Sequence, residues 1–312
     1  MTADATPAVR RSARSIVWTR RRRAFARNWK EYRRNREGLI GLVMLAFFAF
    51  LALAGPWLVD PETTAVITAP GRPFEPPSSQ FWLGTDEFGR PILALLIEGA
   101  RVSLMVGLIA TVFSIVIGTV VGIMAGHFGG WTDTVLMRIS DWLLVLPFLP
   151  LAIVLLVILQ SSSWLQISPV TAIAIVVGIT SWPATARLIR SQTLAVKSRP
   201  YLERARALGA GHWHQMSRHI LPNVMPLVLA NTTLTVAGAV LAETTLSFIG
   251  LGDPLRHSWG TTLDGAFGSG AISIGAWWYL IPPGVAIVLV VLAFTWVGHA
   301  LETVLNPRLQ GR

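Results

Sequence analysis

Few residues in this sequence are equipped for chemistry. Glu243 stands deep in an apolar run, 224–248, where a carboxylate is costly to hold and marks a functional candidate. Either it bonds to a neighbouring helix or it lines a path through a membrane, with Asn231, Thr232, Thr233 and Thr235 adding polar lining. His212, His214 and His219 invite a metal. Helical residues two apart point away from each other, however, and the chain has no cysteine to join them, so no metal site is expected. Glu302 lies one turn from His299 and reads as a local pair. Asp86 and Arg90, flanked by Gly84 and Gly89, either pair locally or face an external partner. The chain contains no HExxH, no GxSxG and no pair of intramembrane aspartates, so no catalytic residue is assigned. Its only two lysines, Lys30 and Lys197, stand outside any GxxxxGK[ST] context, and the chain therefore supplies no ATP site of its own.

The elements that must position these residues are membrane helices. Of 312 residues 53% are hydrophobic and 13% charged, too apolar a balance for a soluble domain. Several runs reach the roughly 20 apolar residues needed to cross hydrocarbon, and no alternating pattern suggests a barrel. The fold class is an all-α polytopic membrane protein with six transmembrane helices. Spans are expected at Gly38 to Val59, Val102 to Gly126, Asp141 to Leu159, Ser168 to Leu188, Val224 to Phe248 and Trp278 to Leu301. Gly118, Gly122 and Gly126 recur every fourth residue on one side of the second span, where another backbone can approach. Pro147 and Pro150 predict a kink in the third.

Charge sets the orientation. The tail 1–37 is strongly basic, including Arg20 to Arg23, and a second basic cluster runs from Arg187 to Arg218. Both fall on one side once the intervening spans are counted, which the positive-inside rule makes cytoplasmic. The tail can also meet anionic lipid. The net charge of +10 lies outside the apolar runs, so it speaks for topology and not for nucleic acid. Both termini, 1–37 and 303–312, are expected inside, and the loop 60–100, rich in proline and turn residues, outside. No cleavable signal peptide is expected.

Between the fourth and fifth spans lies a polar interval, Tyr201 to Asn223, longer than most helix connections. A helix is predicted from Leu202 to Leu208, with Gly209 as its left-handed terminator. A second should run from His212 to Ile220, and Pro222 should break the segment and open the next helix. Glu203-Arg204-Ala205, Gly209 and Ile220-Leu221-Pro222 resemble the EAA loop of ABC-importer permeases, with Arg204 where Ala is usual and His219 where an apolar residue is common. Leu83 to Arg90, LGTDEFGR, resembles the LGTDxxGRD stretch of the C-type permeases of dipeptide and oligopeptide importers, with Pro91 in place of the final Asp. Ile249 to Gly252 and Ser258 to Gly260 resemble the SFLGLG…SWG region of the same subunits.

The resemblance implies the type I ABC-importer transmembrane fold over 101–302, with 190–222 as the cytoplasmic coupling loop and the first span as a family-specific addition. It implies Glu203, Ala205, Gly209, Leu221 and Pro222 as the coupling residues, while Glu243, Asn231 and Thr235 stand as candidates for the path on their place in the fifth span alone. It leaves Asp86 and Arg90 as candidate contacts for an extracytoplasmic peptide-binding protein. The implied partners are a homologous second permease and two ATPases that bind ATP and Mg. No cofactor is expected in this chain. Peptide is the implied cargo, although nickel complexes, haem or other solutes use the same permease motifs. An ion-coupled transporter should carry several titratable residues within its spans, and only Glu243 clearly does.

Overall fold

The computed structural model describes residues 18, 22, 26–161 and 167–305, and every described regular element is helical. The predicted turn at 161–164 and the tail 306–312 lie almost wholly outside these residues, as does most of the basic tail. Helix α1 spans Arg36–Leu58, opened by Asn35, whose side chain accepts from the Gly38 amide at 2.9 Å. A four-residue helix, α2 (Pro61–Thr64), begins the connection to α3 (Ile92–Phe128). At 37 residues α3 is about 55 Å long and overhangs a hydrocarbon core of about 30 Å. It begins at Ile92, ten residues before the expected start at Val102. The extra turns hold because Ile92 and Leu95 are buried in a cluster with Ala266, Ala271 and Tyr279.

The expected third span is not one rod. It is α4 (Gly130–Val145) and α5 (Phe148–Ser161), meeting at 99°. Pro147 sits at the break. Pro150 lies in the first turn of α5, where a missing N–H removes no intrahelical bond, so it does not kink anything. Helix α6 (Pro169–Lys197) follows, capped by Ser168, and leads to the short α7 (Pro200–Ala207). The next helix, α8 (His212–Leu251), runs helically from His212 to Phe248 and then bends at Ile249 and Gly250, where the backbone leaves helical geometry and Gly250 is left-handed at φ +85°. Pro222 does not break it: a π turn, Gln215–Ile220, runs directly into Leu221–Leu246, and a second π segment, Ser247–Leu251, ends it. Helix α9 (Trp259–Gly268) starts at a capping box in which Ser258 and Thr261 satisfy each other's backbone, and α10 (Trp277–Leu305) closes the described chain. Five helices, α1, α3, α6, α8 and α10, are long and apolar enough to cross a membrane, and the bent pair α4–α5 makes up to six.

The core forms where α3 meets α6. A Cβ on Gly118 would lie 2.6 Å from Thr185 Cβ, one on Gly122 2.6 Å from the Ala186 carbonyl oxygen, and one on Gly126 2.7 Å from Thr193 Cβ. The backbones therefore touch along the whole predicted stripe. Trp259 is fully buried, donating from its indole N–H to the Leu96 carbonyl at 2.9 Å and standing edge-on to Phe48. Gly38 abuts Ala300 and Gly55 abuts Ile97, so α1 begins at the bundle end where α3 and α10 finish. Residues 26–32 form a helical stretch whose Tyr32 packs with Ala300 and Val304 and donates to the Gly38 carbonyl at 2.7 Å.

Candidate docking loop and transport groove

The α7 segment is fixed at both ends. Leu202 is buried with Ile220 and Val224, and Leu221 packs against the same cluster. The helix closes with two reverse-turn bonds, Ala210 N–H to Ala205 O at 3.0 Å and Gly209 N–H to Arg206 O at 2.9 Å. That is the Schellman pattern, and it needs the residue between to be left-handed. Gly209 is, with φ +85°. Ala205 thus contributes its carbonyl to the closure, and Gln215 locks it from the other side, donating to Ala210 O and accepting from Arg206 Nε. Glu203, Arg204 and Pro222 face outward. Leu208 is 89% exposed and Trp213 78%, two large apolar groups beside charge on a loop joining two spans.

Sequence reasoning missed how this loop meets the bundle. His127, at the last turn of α3, is 3% exposed, and its Nε2 lies 3.0 Å from His212 Nδ1. Lys197, ending α6, donates to the His127 carbonyl at 2.7 Å. Two ion pairs, Arg190 with Asp133 and Arg187 with Asp141, tie α4 to α6 close by. All these charges were visible in the sequence, but their partners are 46 or more residues away.

Asn231 and Thr235 line a groove of about 450 Å³ together with Ser181, Thr185 and Thr245; most of its wall is apolar, including Phe148, Leu149 and Leu241, and no charged residue lines it. Asn231 donates to Thr185 Oγ1 at 3.1 Å, and Thr235 bonds back to the Asn231 carbonyl. Glu243 is not part of that lining. It is 1% exposed, and one of its oxygens accepts from Ser247 at 2.8 Å. The hydroxyls of Ser103, Ser258 and Thr244 surround it, although Oε2 takes no hydrogen bond of good geometry. The carboxyl therefore sits among α3, α8 and the start of α9.

At the other end of the bundle Asp86 and Arg90 pair. Asp86 is wholly buried; its Oδ1 accepts from the amides of Phe88 and Arg90 at 2.9 and 2.8 Å, and its Oδ2 meets Arg90 Nε. Arg90 also lies over the Phe88 ring and approaches His257 Nε2 at 3.3 Å. Since a guanidinium can only donate, His257 accepts through Nε2 and is uncharged. Burial, then the Arg90 charge, holds its pKa below the ordinary imidazole value. Trp278 donates to the Thr85 carbonyl at 3.2 Å, fastening this hairpin to α10. His212, His214 and His219 gather no third ligand: among the described residues no group of three or more His, Cys, Asp or Glu side chains is arranged to hold a metal.

Two family descriptions match the chain: residues 118–311 match the binding-protein-dependent transport system inner membrane components, and residues 24–77 match the N-terminal transmembrane domain of oligopeptide transport permease C. A putative peptide transport system permease protein of Brucella abortus is 36% identical over 280 residues, 89% of this chain and 90% of the relative. The dipeptide transport system permease protein DppC of Bacillus subtilis is 34% identical over 283 residues, 90% and 85% of the two chains. A solved amino acid ABC transporter chain aligns with a TM-score of 0.49 at 19% identity, over 70% of this chain and 95% of its own.

Proposed function

The chain belongs to the binding-protein-dependent transport system inner membrane components, and from that premise we propose that it is one permease half of an ATP-driven importer that carries dipeptides and oligopeptides across the cytoplasmic membrane. A homologous permease completes the pathway, and two ATPases, which bind the ATP and Mg, dock on α7 and the residues around Gly209. An extracytoplasmic peptide-binding protein delivers cargo to the Asp86 end. Both termini and the docking loop are cytoplasmic. Three features agree with this orientation: Lys197, Arg199, Arg204, Arg206 and Arg218 at the loop, Arg27 to Arg36 at the start of α1, and the shared bundle end of the two clusters.

The observation that carries the proposal is the exposure of Leu208 and Trp213 beside Glu203 and Arg204. Large apolar side chains held out on a closed, rigid turn mark a partner surface. The groove suits a peptide for a chemical reason. A few hydroxyls and one amide set in an apolar wall can exchange their internal bonds for backbone N–H and C=O groups of a cargo, and an uncharged lining neither traps nor repels charged side chains. ATP-driven closure would displace α7 and tilt α8, shifting the bundle between two packings. Glu243 serves as an internal tie in this scheme and not as a contact for cargo.

The test replaces Gly209 with Val, whose β-branched side chain is strained at φ +85°. Membrane vesicles containing all subunits are assayed for ATPase recruitment and ATP-dependent dipeptide uptake. Both should fall together. Uptake and recruitment at parental levels would remove the loop from its assigned role.

A further inference from the structure

Among the described contacts, one hydrogen bond joins a side chain of the Gly209 turn region directly to a side chain of α3: His127 Nε2 to His212 Nδ1. The rings meet edge-on with centroids 5.2 Å apart, and Phe128 packs on His212 at 5.3 Å. The two residues are 85 positions apart in sequence. His127 is buried and its other nitrogen, Nδ1, has no hydrogen-bond partner, whereas His212 is exposed.

These facts fix where the shared proton sits. If His127 carried its proton on Nδ1, a buried N–H donor would point at nothing. If it carries the proton on Nε2, only a lone pair is left unmatched, which is the less costly defect. His127 Nε2–H therefore donates to His212 Nδ1, and neutral His212 holds its own proton on Nε2, toward solvent. A second proton on this pair has two places to go. On His127 Nδ1 it would be buried without an acceptor, in a pocket where Lys197 Nζ already sits on the His127 carbonyl and Arg206 lies close. On His212 Nδ1 it would occupy the lone pair that receives the bond and set N–H against N–H. The other two histidines of the loop, His214 and His219, face each other with centroids 5.5 Å apart, and the charged neighbours that act on His127, Lys197 and Arg206, are cations, with Glu203 not among them.

We propose that His127 and His212 form a one-proton joint that transmits displacement of the docking loop to α3, and that the joint is engaged only while His212 is uncharged. This rests on the importer reading above and adds to it a positioning pair and a cytoplasmic-pH dependence. Acidification, which supplies the second proton, removes the bond. Docking persists in acid, because α7 is held independently through Leu202 and Gln215, but the motion it starts is no longer delivered to α3.

The experiment uses the complete complex in proteoliposomes and reads peptide transported per ATP hydrolysed at pH 7.5 and 5.5. In His212→Asn, the amide oxygen takes the place of Nδ1 as an acceptor that cannot be protonated. In His212→Ala the acceptor is gone. The parent should lose roughly two- to tenfold in coupling on acidification, the worth of one hydrogen bond. His212→Asn should hold its ratio at both pH values, and His212→Ala should be low at both. A purely structural role would lower recruitment too, which is measured in parallel. Identical pH profiles for the parent and His212→Asn, or parental coupling in His212→Ala, would overturn the proposal. A separate readout keeps it apart from the importer reading: ¹⁵N spectra of histidine-labelled protein in membranes report which ring nitrogens carry protons. His127 protonated on Nε2 and bare on Nδ1 supports the joint even if no peptide is transported, and the opposite tautomer refutes it even if transport is robust.

Discussion

Substitution of Gly122 by Ala tests the contact on which the bundle is built. The added Cβ would lie 2.6 Å from the Ala186 carbonyl oxygen and 3.0 Å from the Arg190 amide nitrogen, and both are backbone atoms in the middle of α6. Neither can rotate away. Ordinary contact begins near 3.4 Å, so α3 and α6 must part by about 0.8 Å, or slide, over a seam that runs from Gly118 to Gly126. Overpacking of a close interface costs about 1–3 kcal/mol. Offsetting this, Gly to Ala within a helix favours folding by roughly 0.5–1 kcal/mol. The net loss should be about 1–2 kcal/mol, a fall of a few degrees in the thermal midpoint of the purified protein. Gly284→Ala is the matched control. That glycine is also within a spanning helix, but a Cβ there meets nothing within 4 Å, so it should be neutral or slightly stabilising. A Gly122→Ala protein as stable as its parent, or a Gly284→Ala protein equally destabilised, would show that the glycine seam does not set the distance between α3 and α6.

Two other substitutions separate structural from transport roles. Asp86→Ala strands a buried Arg90 and should cost about 3–5 kcal/mol, while the double change Asp86→Ala/Arg90→Ala should cost less, because no charge is then left alone; thermal unfolding of the four proteins of the cycle decides this. Glu243→Gln keeps an acceptor for Ser247 and should transport normally, whereas Glu243→Ala empties the pocket and should destabilise by about 1–3 kcal/mol; loss of uptake in the Gln protein at unchanged stability would put the carboxylate charge on the pathway.

Much of this molecule was legible because hydrocarbon imposes a length and a polarity that a sequence cannot disguise. The glycine stripe on α3 was readable in register, since a period of four on a helix leaves one geometry. Gly209 was readable because a helix of good formers followed by glycine has a specific way to end. The start of α3 was not, since Glu98 and Arg101 look like loop residues until Ile92 and Leu95 find the cluster around Tyr279. Pro222 misled for a related reason. Proline suits the first turn of a helix, and the chain uses it there without any interruption, because the preceding π turn supplies the continuity that composition cannot reveal. The surroundings of Glu243 and the contact between His127 and His212 were hidden altogether. Each depends on side chains brought from distant helices, and with no periodicity to betray them such meetings are decided only by tertiary packing.

The helical run of α8 from His212 to Phe248 has a thermodynamic corollary. A stiff member about 55 Å long does not distinguish which of its extremities was pushed. If nucleotide state at one extremity alters what the far side can accept, then by linkage the far side must alter nucleotide affinity by an equal factor. Loading of cargo should therefore be detectable as a changed ATP dissociation constant on the opposite face of the membrane, before any turnover has occurred.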